Sequence, residues 1–436
     1  MSKLKYGVGS IVVAALIVGG LPYVVKNSID SIIEKRQTEL SSKGMDLKVV
    51  SHEGYFESTR EINIKFTDSV KVLDYISELT NLDIGTLNSL TNNGLIFSDI
   101  SFKGIVKNSN LFSQTIKTQI SIDQLPLDVQ QSMANDKTLD DFIKSLLLSI
   151  DFNEDGEVSY ISLNDLIIKD EDVEVKLLKP ELNIEGDIYN TTIKNITFNI
   201  NQDYENMLIY IDDIKDTLHY TDEFNFEEEA NIAKLQFNYK NQYSRADVEY
   251  KSTNNNIKTS SNIEDQQFNM TLGYDMSDVF LRAQSTDTNI EKFAFNIELN
   301  EIKESPLRVL NDALTDEYRF SQLLVPQVQE LVNDGFKINI GSKINNIQNV
   351  NVAAKEIAID LKINLLKNTL NQYSRMDNIL GYVRADGQIS LDDETVQKIA
   401  QSVPIGKYNT TSKNGISYFD IKFKDSTLFI NNMRVQ

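Results

Sequence analysis

The chain has no cysteine and no tryptophan, and only two histidines and six prolines in 436 residues. Without cysteine, disulfide frameworks, thiolate zinc sites, iron–sulfur clusters and cysteine nucleophiles are excluded. His52 and His219 stand far apart, neither with a second histidine at ligand spacing, and there is no H-E-x-x-H, G-x-S-x-G or Walker loop. A hydroxyl nucleophile at neutral pH needs a base, normally an imidazole, so little catalytic chemistry is available. No enzyme activity and no cofactor are expected. Basic residues are also in short supply, 43 Lys+Arg against 64 Asp+Glu, for a net charge of −21. That balance opposes nucleic-acid binding, which needs clustered cations to neutralise phosphates. The run Glu227-Glu228-Glu229 reads most simply as a solvated acidic face.

Hydrophobic residues make up 41% of the chain, enough for folded cores, and the length predicts two or three lobes. At the start, Lys3 and Lys5 precede an uncharged stretch over residues 6–25 that ends at Lys26. About 20 helical residues span roughly 30 Å, the thickness of a hydrocarbon core. Residues 1–26 therefore predict a transmembrane signal anchor. A cleavable signal peptide competes, with Val18-Gly19-Gly20 as its small-residue site, but apolar character continues through Leu21, Val24 and Val25. Lys3 and Lys5 would remain in the cytoplasm and the body would cross the membrane. Residues 27–47, with Ile29, Ile32, Ile33 and Leu40 on one helical face, predict an amphipathic stalk able to pack on the body or on a second copy as a homodimer.

From Lys48 onward, apolar–polar alternation dominates. Leu235, Phe237 and Tyr239 alternate with Gln236 and Asn238, and Phe293, Phe295, Ile297 and Leu299 repeat the pattern. Period two predicts antiparallel sheet with one face buried and one solvated. Helices are predicted from Ser305-Pro306, from Pro326 to a stop at Gly335, after a capping Asp392, and over Leu73–Leu90 and Leu125–Leu148. The predicted class is α+β: a transmembrane helix, then long antiparallel sheets with a few amphipathic helices packed on them. The body divides into an α+β lobe over 48–152, a β-rich middle over 153–304 and a second α+β lobe over 305–436.

Asp151, Asn153, Asp155 and Gly156 match the opening of a calcium-binding loop, where oxygen ligands alternate before a glycine turn. The twelfth position, which needs a bidentate Glu, is Ser162, and the flanks read as strands. A hairpin turning at Asp155-Gly156 is the simpler reading, and no metal site is assigned.

Gly54, Tyr55, Phe56 and Ser58, followed by alternating Ile62, Ile64 and Phe66, resemble the opening of the YdgA-like family of bacterial envelope proteins, although Tyr55 stands where that pattern has Trp. The tail from Phe419 to Asn432 is similar too, with Ser426 and Asn432 where glycines are typical. The resemblance implies an inner-membrane protein with a periplasmic body and carries over no activity. The leading expectation is thus a membrane-anchored periplasmic binding or scaffolding protein. The alternative is a carrier of lipid or another apolar ligand in a β-sheet groove, a layout that resembles AsmA-like bridging proteins at a coarse level. Amphipathic helices available to cover the sheets favour the closed, ligand-free version.

Overall fold

The computed structural model describes residues 37–52, 57–80, 100–109, 116–125, 146–153, 158–169, 171–284, 286–313, 317–350, 353–369, 379–400 and 410–435. These carry 22 strands and divide into two compact units, the first ending at Asn199 and the second spanning Ile200–Gln436.

In the first unit, β1 (Met45–His52), β2 (Glu57–Phe66), β3 (Ser101–Ser109), β4 (Ile116–Gln124), β5 (Leu147–Phe152) and β6 (Val158–Leu163) each run antiparallel to the next. The shorter β7 (Leu166–Lys169), β8 (Val173–Leu178) and β9 (Glu181–Glu185) lead into β10 (Ile188–Gln202). Alternation in β1 and β5 turns Met45, Leu47, Leu148, Ile150 and Phe152 onto one face. Helix α1 (Ser69–Thr80) lays Val72 and Tyr75 among them, and Phe66 at 0% exposure sits 5.2 Å from the ring of Phe102. The Asp68 carboxylate starts this helix by accepting the N–H groups of Val70 and Lys71 at 3.2 and 3.3 Å. Gly44, at φ +80°, has the Asp68 carbonyl 2.7 Å from where a Cβ would stand, so a side chain is barred there on two counts.

The second unit is built from longer strands of 17–19 residues: β11 (Glu205–Asp222), β12 (Asn225–Asn241), β13 (Ala246–Glu264), β14 (Gln267–Ala283) and β15 (Thr286–Lys303, 18 residues). Helices α2 (Glu304–Asn311) and α3 (Glu317–Asp334) follow, then β16 (Phe336–Asn349), β17 (Ala353–Leu365), β18 (Val383–Asp392) and α4 (Asp393–Ala400). The chain finishes with β19 (Thr411–Lys413), β20 (Ile416–Lys424), β21 (Thr427–Ile430) and β22 (Met433–Arg434). From β11 to β18 every strand pairs antiparallel with its successor, and β18 then pairs with β20.

Several expectations are corrected. The predicted span, residues 6–25, and the stalk up to residue 36 lie outside the described residues. Among the described residues no helix is long and apolar enough to cross a membrane. The architecture is a large antiparallel β-sheet domain with a few short helices, and the membrane-anchored scaffold reading, with its single pass and its inner-membrane placement, is not retained. Leu147 and Leu148, at the end of the helix expected over Leu125–Leu148, begin β5, because Leu148, Ile150 and Phe152 alternate into the core. Pro326 does not restart a helix but lies inside α3. Gly335, at φ +78°, ends α3 as expected, and Asp392 caps α4 by accepting the Thr395 N–H at 2.9 Å and its hydroxyl at 2.8 Å.

Candidate functional site

The register of the second unit sorts its side chains onto two unlike faces. Ile209, Phe237, Tyr250 and Leu281 lie in one row across β11–β14, and Ile297, Ile340, Leu361 and Leu272 in another across β14–β17. By the same register every Lys and Arg flanking these rows, such as Lys215, Lys258, Arg282, Lys343 and Lys362, falls on the opposite face. There they pair with acids: Lys258 with Glu229 at 3.1 Å, Lys343 with Glu356 at 2.9 Å, and Arg282 with Asp287 at 2.7 Å.

The alternation slips by one residue at the same level in every strand. On β11 the apolar positions run Met207, Ile209, Ile211 and then Ile214 and Leu218; on β15 they run Leu299, Ile297, Phe295, Phe293 and then Ile290. The slip falls at Asp213, Asn254, Asp278 and Asn346, whose φ angles are 49°, 50°, 49° and 50°. The pairing places these four along one row across β11–β17 that steps by one residue between β13 and β14, with Ala233, Glu291 and Lys355 completing it on β12, β15 and β17. A left-handed residue costs roughly 1–2 kcal/mol unless it is Gly, Asn or Asp, and here it is always Asn or Asp. Such an aligned row of irregularities is a transverse crease in the sheet.

The sheet bends toward its apolar face. Along the crease Ser252, Asn255, Val279 and Ala354 are 0%, 2%, 5% and 5% exposed, while apolar residues away from it, Ile297, Phe295 and Ile340 among them, are only half-buried. Tyr250 and Tyr274 give a direct gauge. Tyr250 pairs with Leu281, seven residues along β14 from Tyr274, roughly 23 Å on a flat strand. Yet both hydroxyls reach the Met276 Sδ, at 3.1 and 3.4 Å, from opposite arms of the bend. Tyr274 also donates toward Asn255 Oδ1 at 3.2 Å, an oxygen that already takes the Ser252 hydroxyl at 2.7 Å. Burial, with the neighbouring Tyr250, pushes the Tyr274 phenol up to about 12, so it remains a proton donor throughout the neutral range.

Among the described residues only the borders of this trough are closed by helices. Helix α2 follows β15, and its Arg308 guanidinium lies 4.8 Å from the Phe224 ring centre, which in turn meets Phe268 edge-on at 6.0 Å. Helix α4 lies against β17, β18 and β20, where Ser417 Oγ donates to Asp393 at 2.6 Å. Three acids share the apolar face, Glu205 at the start of β11, Asp216 further along it and Glu228 on β12, so the middle member of the acidic run points away from solvent-facing Glu227 and Glu229. Burial, then the charge of Glu228, raises the Asp216 carboxyl, and its buried Oδ1 has no hydrogen-bond partner.

The residues singled out from sequence lie elsewhere. Asp151 is in β5, opposite Tyr160 and 3.9 Å from the Lys117 Nζ; Asn153 follows it, and Asp155 lies outside the described residues. Paired strands, not helices, flank that loop. Gly54, Tyr55 and Phe56 also lie outside the described residues, while Ser58 is buried on β2 opposite Asn108. His52 is exposed, 4.0 Å from Glu61, and His219 borders a shallow depression of about 700 Å³ on the polar face with Glu227, Glu229 and Lys258. The crease and its tyrosines were missed, although the one-residue slip at Asp213, Asn254 and Asp278 is written in the alternation.

No family model, curated protein or solved structure matches this chain. The geometry itself defines the class: a large antiparallel β-sheet protein whose long apolar face is bent inward along a crease.

Proposed function

We propose that the second unit is a carrier for a lipid or another elongated apolar ligand, held in the trough that the crease makes of its apolar face. The observation that carries this reading is the pairing of deep burial at the crease with partial exposure of Phe295, Ile297 and Ile340 on the arms, where Leu281 and Ile359 are each 40% exposed. Monomeric proteins rarely leave so continuous an apolar surface open unless something binds there, and burial is favourable by about 25 cal/mol per Å². A sheet serving as an ordinary core would have a second layer over the crease, as α1 provides in the first unit. Among the described residues, the helices of the second unit stand at the borders of the trough. The role is binding, with no bond made or broken.

The test is direct. The full chain, purified without detergent, is extracted with organic solvent and the extract analysed by mass spectrometry, alongside titration with a fluorescent apolar probe. The expected result is an acyl-chain ligand in the extract and saturable probe binding that Phe295→Asp abolishes without loss of the native melting transition. A clean extract together with no saturable probe binding overturns the proposal.

A further inference from the structure

Building on the carrier reading, we infer that the trough takes an uncharged acyl ester, whose carbonyl oxygen is held at the crease by the hydroxyls of Tyr250 and Tyr274. Three observations converge on that chemistry. The first is the pair of donors. Tyr250 and Tyr274 come from opposite arms, meet over the crease, and share a thioether sulfur, a weak acceptor, at 3.1 and 3.4 Å. Asn255 Oδ1 accepts from both Ser252 and Tyr274, at 2.7 and 3.2 Å, so Tyr250 is the phenol left with the sulfur as its acceptor. A carbonyl oxygen entering between the two phenols gains stronger hydrogen bonds than the sulfur supplies.

The second is charge. Outside the crease row itself, whose β17 member is Lys355, the apolar face of β11–β17 presents no Lys or Arg, and its carboxylates are Asp216, Glu228 and, at the start of β11, Glu205. A fatty-acid carboxylate or a phosphate buried between the two tyrosines would have no counter-charge, and burying an unpaired ion is prohibitive. Neutral donors without a cation select a neutral acceptor.

The third is position. The crease runs across seven strands, β11 to β17, roughly 29 Å at about 4.8 Å per strand. A bilayer core two acyl chains deep is about 30 Å thick, so the crease is as long as two chains laid end to end. Tyr250 and Tyr274, on β13 and β14, stand near its middle, where an ester between an acyl chain and a second apolar arm would fall.

Displacement of the bound apolar probe from the full chain by dodecane, methyl dodecanoate and dodecanoate separates the possibilities. The expected result is that the methyl ester displaces the probe about tenfold more tightly than either of the others. That advantage should vanish in the Tyr250→Phe/Tyr274→Phe double variant, which keeps both rings, while dodecane binding stays unchanged. Matching denaturation curves for variant and parent show that the fold is intact. Equal affinities for ester and alkane, or an ester preference that survives in the variant, overturn the ester anchor but leave the carrier reading standing, as does dodecanoate binding best. Failure of all three to displace the probe, or a dimer that excludes it, overturns both.

Discussion

In the first unit Met45, Phe66 and Ile150 are shut away with Val72 of α1, whereas in the second Phe295, Ile297 and Ile340 stand partly uncovered on a longer, largely apolar sheet face. Both regions alternate apolar and polar residues with the same period, so the difference does not lie in the strands. It lies in the second layer. Helix α1 follows β2 directly and folds back over the sheet, while among the described residues α2, α3 and α4 reach only the borders of the second unit's apolar face. Alternation states that a face is apolar; what covers it is decided by where the helices fall between the strands.

Truncation is the harshest way to break this comparison. Phe66→Ala should cost about 3–5 kcal/mol in chemical denaturation, whereas Phe295→Ala, from a face with no second layer among the described residues, should cost under about 2 kcal/mol. Equal losses would mean that the trough is an ordinary core. Next is the crease. Asn254→Val forces a β-branched residue into a left-handed conformation and should destabilise by about 1–3 kcal/mol, while Asn254→Gly should sit within a few tenths of the parent. If valine is tolerated, the crease is not fixed by its backbone.

Asp392 gives a comparable effect at the edge of the trough, where Asp392→Ala should remove about 1–2 kcal/mol. Burial acts to raise its carboxyl, but the N–H and hydroxyl of Thr395 and the N–H groups of Lys355 and Glu356 outweigh it, and the net shift is downward. The stability it contributes is present above the ordinary value of 3.8 and is lost as pH falls through the lowered native value. Melting curves below neutrality should show that loss in the parent and not in the variant. The smallest effect is expected at Asp216. Its carboxyl is raised in the native state, so the native protein loses stability as pH rises from 3.8 through that raised value. Asp216→Asn should melt slightly higher at neutral pH and flatten the profile; a lower melting point would show the carboxylate to be paired.

Much of the sheet is legible from alternation alone, as Phe293, Phe295, Ile297 and Leu299 illustrate. The cap at Asp392 and the stop at Gly335 are legible too, because each depends on a single residue's local chemistry. Pro326 misleads because a proline tolerated within a helix reads the same as one that begins it. The trough was not legible for a different reason. Each slip of alternation looks like an ordinary irregularity in its own strand, and only the register shows that Asp213, Asn254, Asp278 and Asn346 share one row. Tyr250 and Tyr274 are likewise unremarkable at their separate positions until the bend brings their hydroxyls to one sulfur atom.

From β12 to β17 each strand hydrogen-bonds to the strand before it and the strand after it in the chain, so no pairing among them waits on a segment outside this run. Growth of such a sheet proceeds by adding one hairpin to an existing edge, with each addition templated by the last. Under tension applied along the strand-stacking direction, the same connectivity should release the sheet one hairpin at a time, as a zipper opens. A force trace from this unit would then be a staircase of small, similar steps in place of one abrupt rupture.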